Sequence, residues 1–169
     1  MTDTVAGALS SVTAESFRSA MACHAAGVAV VTTRDAAGRP WGLTVTSFSS
    51  VSLEPPLVLT CVAHRAGGYE AFAACTGFAV SLLDEVQQEI AQRFARSGGE
   101  KFSPQDSDDD SMCSPVVDGA LCQLECRVHA RYPAGDHLLL VGRVTQLRYR
   151  QGAPLVHHQR AFHTLRDRF

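Results

Sequence analysis

From Cys122 to Tyr132 the chain alternates without a break: Cys122, Leu124, Cys126, Val128, Ala130 and Tyr132 are apolar, and Gln123, Glu125, Arg127, His129 and Arg131 are polar. A period of two sends successive side chains to opposite faces of an extended backbone, so this stretch predicts a strand with one face on a core and one face wet. Pro133-Ala134-Gly135-Asp136 then supplies turn chemistry, and His137 to Tyr149 reads as a second long strand. Long antiparallel strands expose long edges. With only three modest helical stretches available to cover them, the sheet protects those edges best by curling into a barrel.

The rest of the chain fits that frame. Thr13 reads as the N-cap of a helix through Phe17, Ala20, Met21 and His24 that Gly27 ends. Val28 to Thr33 and Trp41 to Val51 read as two strands joined by a turn from Asp35 to Pro40, and Leu57 to Val62 as a third strand after Glu54-Pro55-Pro56. Ala66-Gly67-Gly68 opens a short helix through Tyr69, Phe72 and Ala73, and Phe78 to Leu83 is a further strand. Asp84 caps a helix with an apolar stripe of Val86, Ile90, Ala91 and Phe94. Ser97 to Ser114 reads as a loop whose acidic run, Asp106 to Asp110, lacks the ligand spacing of a calcium-binding loop. No repeat or interdomain linker is visible, so residues 1–12 are expected to be a flexible N-terminus and residues 13–169 one domain.

Several functions are disfavoured at once. At 169 residues, with 46% apolar and 19% charged residues, the chain has the composition of one soluble globular domain. A net charge of −2 provides no basic field for nucleic acid. No apolar window is long enough for a transmembrane helix, and Met1 to Ser11 does not read as a secretory signal, so a cytoplasmic location is expected. The six cysteines (23, 61, 75, 113, 122, 126) are then expected to stay reduced. None forms a C-x-x-C pair, and Cys122 and Cys126 would lie about 13 Å apart on a strand. No G-x-S-x-G elbow is present, and the adjacent His157 and His158 face opposite ways on a strand, so neither a nucleophilic triad nor a metal site is indicated. Of fifteen cationic residues one, Lys101, is a lysine.

Gly42 to Ser50 is unusual in placing Thr44, Thr46, Ser47, Ser49 and Ser50 within nine residues of an otherwise apolar strand region. It reads either as an edge strand whose hydroxyls face water or as an uncharged surface for a planar polar ring or a phosphate.

The run Gly27-Val-Ala-Val-Val-Thr-Thr33, the run from Gly42 to Leu59, then Arg93-Phe94, Glu100-Lys101-Phe102, Gly135-Asp136-His137 and Gly142, in that order, resemble the flavin reductase family of the FMN-binding split barrel, over about Phe17 to Leu165. The resemblance implies a mostly β fold with peripheral helices: a Greek-key antiparallel split β-barrel that works as a homodimer. NADH, or NADPH, would reduce FMN, or FAD, for a partner flavin-dependent monooxygenase, with no nucleic acid, membrane or metal involved. The flavin positions it implies are Trp41, Gly42, Leu43, Thr44, Val45, Thr46 and Ser47, with Cys61, Val62 and Ala63 at a strand end beneath the ring. Arg65, Arg93 and Phe94 also match, and Gly67 and Gly68 stand at a helix start where relatives often carry Ser or Thr toward the flavin phosphate. His137 would contact the nicotinamide, with His158, Arg160 and Phe162 on a second such stretch. Lys101 is either an ammonium placed near the flavin or an exposed residue without a role. Hydride transfer between stacked rings needs no nucleophile or general base. Flavin held as a tight prosthetic group, and a flavin carrier without hydride chemistry, are the alternatives.

Overall fold

The structure, a computed structural model, describes residues 11–98, 101–102 and 114–165. Its elements run α1 (Ala14–Met21), β1 (Ala26–Gly27), β2 (Ala29–Arg34), β3 (Pro40–Val45), β4 (Ser49–Ser52), β5 (Leu57–Ala63), α2 (Tyr69–Ala74), β6 (Gly77–Leu82), α3 (Gln88–Ala95), β7 (Cys122–Ala134), β8 (His137–Tyr149), β9 (Leu155–His158) and β10 (Ala161–Thr164). Seven strands form one antiparallel sheet in the order β3-β2-β6-β7-β8-β5-β4. The expected Trp41 to Val51 strand is therefore two strands, and they lie at opposite edges of this sheet.

That arrangement forces the curl. Laid flat, six interstrand spacings would put β3 roughly 29 Å from β4. Residues 46–48 connect them, and four Cα steps reach at most about 14 Å. The sheet must close until its two edges face each other, while β3 and β4 remain outside each other's ladders. The result is a barrel split along the β3–β4 seam.

Inside the barrel lie Val31, Val58, Val62, Phe72, Phe78, Val80 and Leu140. Gly142 makes room for Phe78, since a Cβ there would come within 2.4 Å of the ring. A second cluster outside the wall joins Val28, Val30, Leu83, Ala91, Phe94, Val117 and Leu155. β2 is thus covered on both faces, which is why it reads as a continuous apolar run.

The wet face expected along β7 is wet only in part. Gln123 and Glu125 are buried, with Gln123 Nε2 donating to the Val117 carbonyl at 2.6 Å, because residues 115–120 fold over the start of the strand. Breaks in the β7–β8 register at Glu125/Cys126 and Val128/Ala130 then shift the phase, and Tyr132 ends 57% exposed. The turn between these strands is Gly135-Asp136, with Gly135 at the positive φ (+58°) that a tight hairpin uses.

Three helix expectations shift. Thr13 forms a capping box with Ser16, but α1 stops at Met21, well before Gly27, because Ala26 and Gly27 pair with β9. Asp84 caps a 3-10 turn, Glu85–Gln87, ahead of α3, which turns Val86 out to 82% exposure and Gln87 inward onto the Asp118 carbonyl. β9 and β10 form a small sheet with β1, and the turn between them holds Gln159 and Arg160 at φ of +48° and +63°. The acidic run, Cys113 and the proposed flexible residues 1–10 lie outside the described residues.

Candidate active site

The seam between β3 and β4 opens into a cleft of about 650 Å³. One wall is Leu43, Thr44 and Val45 of β3 with Thr46 and Ser47 of the crossing segment, and the floor is Cys61 and Ala63 of β5. Residues of β5 alternate: Val58, Thr60 and Val62 are buried in the barrel, so Cys61 and Ala63 face the other way. Val62, expected at the site, is a core residue with no exposed surface. Arg65, Ala66 and Gly67 close one end, Phe94 to Ser97 and Lys101 form the opposite wall, and His137 stands on the rim, paired in register with Ala63.

The crossing segment is fixed by one side chain. Ser47 Oγ accepts the Cys61 N–H at 3.0 Å and lies 3.4 Å from the Cys61 carbonyl, so it clips the chain to β5 where no ladder can. Thr44 Oγ1 donates to the Ala91 carbonyl of α3 at 2.7 Å. Two of the hydroxyls expected to face a ligand therefore make internal bonds. Thr46, Ser49 and Ser50 are exposed, and of these Thr46 lines the cleft.

Lys101 has a defined place. Its Nζ donates to the carbonyls of Gly42 and Phe94, each at 3.1 Å, tying β3 to the last turn of α3, where the helix dipole favours a cation. Burial pushes its ammonium below the usual lysine range. Gly42 lies behind Phe94 and Phe102, whose rings meet edge to face at 5.2 Å.

The two glycines of the turn differ. Gly68 takes φ of +90° and a Cβ there would lie 2.7 Å from Trp41 Cε3, whereas a Cβ on Gly67 meets nothing within 4 Å. Trp41 stands beside the cleft, with its Nε1 donating to Asp35 Oδ2 at 2.9 Å. On the rim, His137 Nδ1 lies 2.7 Å from Asp136 Oδ1, and this hydrogen bond holds the Asp136 carboxyl below its ordinary range.

Other expected residues are not brought to the cleft. Arg93 turns its guanidinium over the Phe94 ring, Cζ at 5.3 Å from the centroid, and does not line the cleft. His158, Arg160 and Phe162 belong to the β9–β10 hairpin, where Phe162 packs on His157 and His158 lies against His163. Sequence reasoning missed Ala66, Ala95, Arg96 and Ser97. The last three follow directly on Phe94 where the helix stops, and that position was the available signal. Among the described residues no group of His, Cys, Asp and Glu is arranged to hold a metal.

The comparisons agree with one another. Residues 21–166 match the flavin reductase-like domain. The chain is 45% identical over 149 residues to the actinorhodin polyketide dimerase of Streptomyces coelicolor, spanning 88% of this chain and 84% of that protein. It is 41% identical to the FMN reductase (NADH) SmoA of Agrobacterium fabrum, spanning 87% and 83%. It is 39% identical to the reductase component of the 4-hydroxyphenylacetate 3-monooxygenase of Thermus thermophilus, spanning 89% and 96%. Among solved structures, the NADH:FAD oxidoreductase SgcE6 of Streptomyces globisporus, in complex with NAD and FAD fragments, superposes with a TM-score of 0.84 at 32% identity, over 90% of this chain and 92% of that one.

Proposed function

The chain belongs to the flavin reductase-like family, and from that premise we propose that it is an NADH-dependent flavin reductase that transfers hydride from NADH to free flavin, FMN or FAD, and supplies the reduced flavin to a partner monooxygenase. The carrying observation is the cleft at the barrel seam, which gathers twelve residues that the family resemblance implied: Leu43, Thr44, Val45, Thr46, Ser47, Cys61, Ala63, Arg65, Gly67, Phe94, Lys101 and His137.

The residues present fit a flavin. The cleft has the volume of a small-molecule site, its walls mix apolar side chains with hydroxyls and the cations Arg65, Arg96 and Lys101, and the side of Gly67 is open to a phosphate. Bound flavin supplies the hydride acceptor, chemistry the side chains lack. Their work is to orient and to exclude: Ser47 and Thr44 set the wall, Cys61 and Ala63 give a flat floor, and Arg65 and Arg96 offer charge to a phosphate. No side chain has to move a proton. With Gly67 in place of a phosphate-binding hydroxyl, flavin is held loosely enough to leave as a product.

NADH is preferred to NADPH, since NADH is the cofactor in the names of the relatives SmoA and SgcE6. Leu147 and Tyr149, 58% and 75% exposed on β8, offer an apolar strip to a second copy. A nicotinamide role for His158, Arg160 and Phe162 requires that copy, because they lie off the cleft of their own chain. No described helix is long and apolar enough to cross a membrane, which suits a place beside the cytoplasmic NADH pool.

The test is NADH oxidation with added FMN, FAD or riboflavin. Turnover with free flavin supports the reading; no turnover with any flavin and either nicotinamide cofactor overturns it. The relative named as a polyketide dimerase favours a second reading, in which flavin stays bound and acts on another small molecule. Protein that stays yellow through extensive dilution would select it.

A further inference from the structure

We propose that the groove beside the cleft, walled by Trp41 and Arg39, is an adenylate subsite, so that this protein prefers FAD to FMN as its flavin. The proposal rests on the flavin-reductase reading of the cleft. Gly67 joins the two spaces: it lines the cleft and also a neighbouring groove of about 440 Å³ formed with Arg39, Pro40, Trp41 and Phe102. With the flavin phosphate at Gly67, FMN ends where the groove begins. The adenylate half of FAD continues into it.

The groove is held by a chain of contacts. Asp35 Oδ1 accepts the N–H groups of Ala37 and Arg39, each at 3.0 Å, while Oδ2 accepts from Trp41 Nε1 at 2.9 Å and lies 3.5 Å from Arg39 Nε. The indole N–H, then the backbone donors and Arg39, hold the Asp35 carboxyl below its ordinary range, so the anchor stays ionised at neutral pH. Anchored this way, the Arg39 guanidinium lies over the indole with Cζ 4.0 Å from the ring centroid. Gly68 crowds Trp41, a Cβ there falling within 2.7 Å of Cε3. The plane left for a ligand is the outer side of Arg39, whose side chain is 64% exposed.

A guanidinium oriented by a carboxylate and an indole is a stacking platform for a purine, and its charge also answers the second phosphate of FAD. Nothing else in the function described above uses this arrangement. FMN has no group that reaches it.

The experiment titrates the protein with FAD and with FMN, following flavin fluorescence without NADH, in the wild type, Arg39→Ala and Arg39→Lys. The wild type is expected to bind FAD about tenfold more tightly than FMN, the increment that one stacked base provides. Arg39→Ala should remove that preference and leave FMN affinity unchanged. Arg39→Lys, which keeps the charge without the plane, should lose most of it. Equal affinities for FAD and FMN in the wild type, or an Arg39→Ala effect equal on both flavins, overturns the proposal. A companion steady-state assay that finds the Arg39→Ala loss confined to the Michaelis constant for NADH also overturns it, by moving the adenylate to the nicotinamide dinucleotide. Binding is read without turnover, so failure of the reductase reading, no NADH oxidation with any flavin, is a separate result.

Discussion

Lys101 donates from Nζ to the Gly42 carbonyl at 3.1 Å, across 59 residues of sequence, and the same ammonium reaches the Phe94 carbonyl. One cation therefore joins the edge strand of the barrel to the end of α3 and sets the width of the cleft. Lys101→Met should lower unfolding free energy by about 1.5–3 kcal/mol, the range for hydrogen bonds to a charged group, and weaken FMN binding. Lys101→Arg should not restore either, since a planar fork does not replace a compact ammonium between two carbonyls. Urea unfolding and flavin titration check both; a Lys101→Met protein equal to the wild type in each would show that Lys101 has no role in the stability or the flavin affinity of the site.

Gly67 and Gly68 should respond oppositely to substitution. Gly67→Ser adds a hydroxyl where a Cβ has open space and should tighten FMN binding several-fold, about 1 kcal/mol for one added hydrogen bond. Gly68→Ala places a Cβ against Trp41 at a φ of +90° and should cost at least about 1–2 kcal/mol in stability from the backbone alone. Flavin titration reads the first and thermal unfolding the second. Tightening by both variants, or by neither, would contradict this division.

His137, on the rim with Nδ1 2.7 Å from Asp136 Oδ1, is paired in register with Ala63 at the edge of the cleft floor. His137→Ala should raise the Michaelis constant for NADH by about fivefold, roughly one lost hydrogen bond, and leave that for flavin within about twofold. Steady-state kinetics with each substrate varied in turn measures the split. The opposite pattern would remove His137 from the nicotinamide side.

What could be read in the sequence follows from how local each cause was. Periodicity located β7, the turn chemistry after it located β8, and the Thr13 cap located α1, because each depends on neighbours within a few residues. The split of Trp41 to Val51 into β3 and β4 was hidden because it follows from barrel closure, a property of the whole sheet. Gln123 and Glu125 looked solvent-facing because the segment that buries them has no periodic signal. The β9–β10 turn carries Gln159-Arg160 at positive φ, where turn chemistry favours Gly or Asn. Most flavin-side residues were named through family resemblance. The hydroxyls showed only in the structure that Thr44 and Ser47 bond to backbone instead of waiting for a ligand.

Asp84 links the cap before α3 to Arg150 beyond β8, with Arg150 Nη2 2.6 Å from Oδ2. The Val86 N–H, and then Arg150, hold its carboxyl below the ordinary 3.8. Its folded-state pKa is depressed, so its contribution to stability is complete above 3.8 and is lost as pH falls through the lower folded value. Asp84→Asn keeps a capping oxygen and should flatten the acid limb of a stability-against-pH profile. Asp84→Ala should cost about 1–2 kcal/mol at neutral pH from the lost cap. An unchanged acid limb in Asp84→Asn would show that other carboxylates set it.

Cys61 and Cys126 should separate cleanly in a labelling experiment. Cys126 is buried in the barrel, and burial first, then Glu125 and Cys122, pushes its thiol up to about 12. The thiolate is the reactive form, so Cys126 should resist a maleimide at pH 8 for as long as the barrel stays folded. Cys61 is half-buried on the cleft floor, where reagent can reach it and bound flavin would cover it. Peptide mapping by mass spectrometry should find Cys23, the exposed thiol among the described residues, labelled under all conditions, Cys61 labelled only without flavin, and Cys126 labelled only after denaturation. Protection of Cys61 that grows with FMN concentration would also give a flavin dissociation constant independent of NADH. Labelling of Cys61 at the same rate with saturating flavin would place the ring elsewhere and remove β5 from the site.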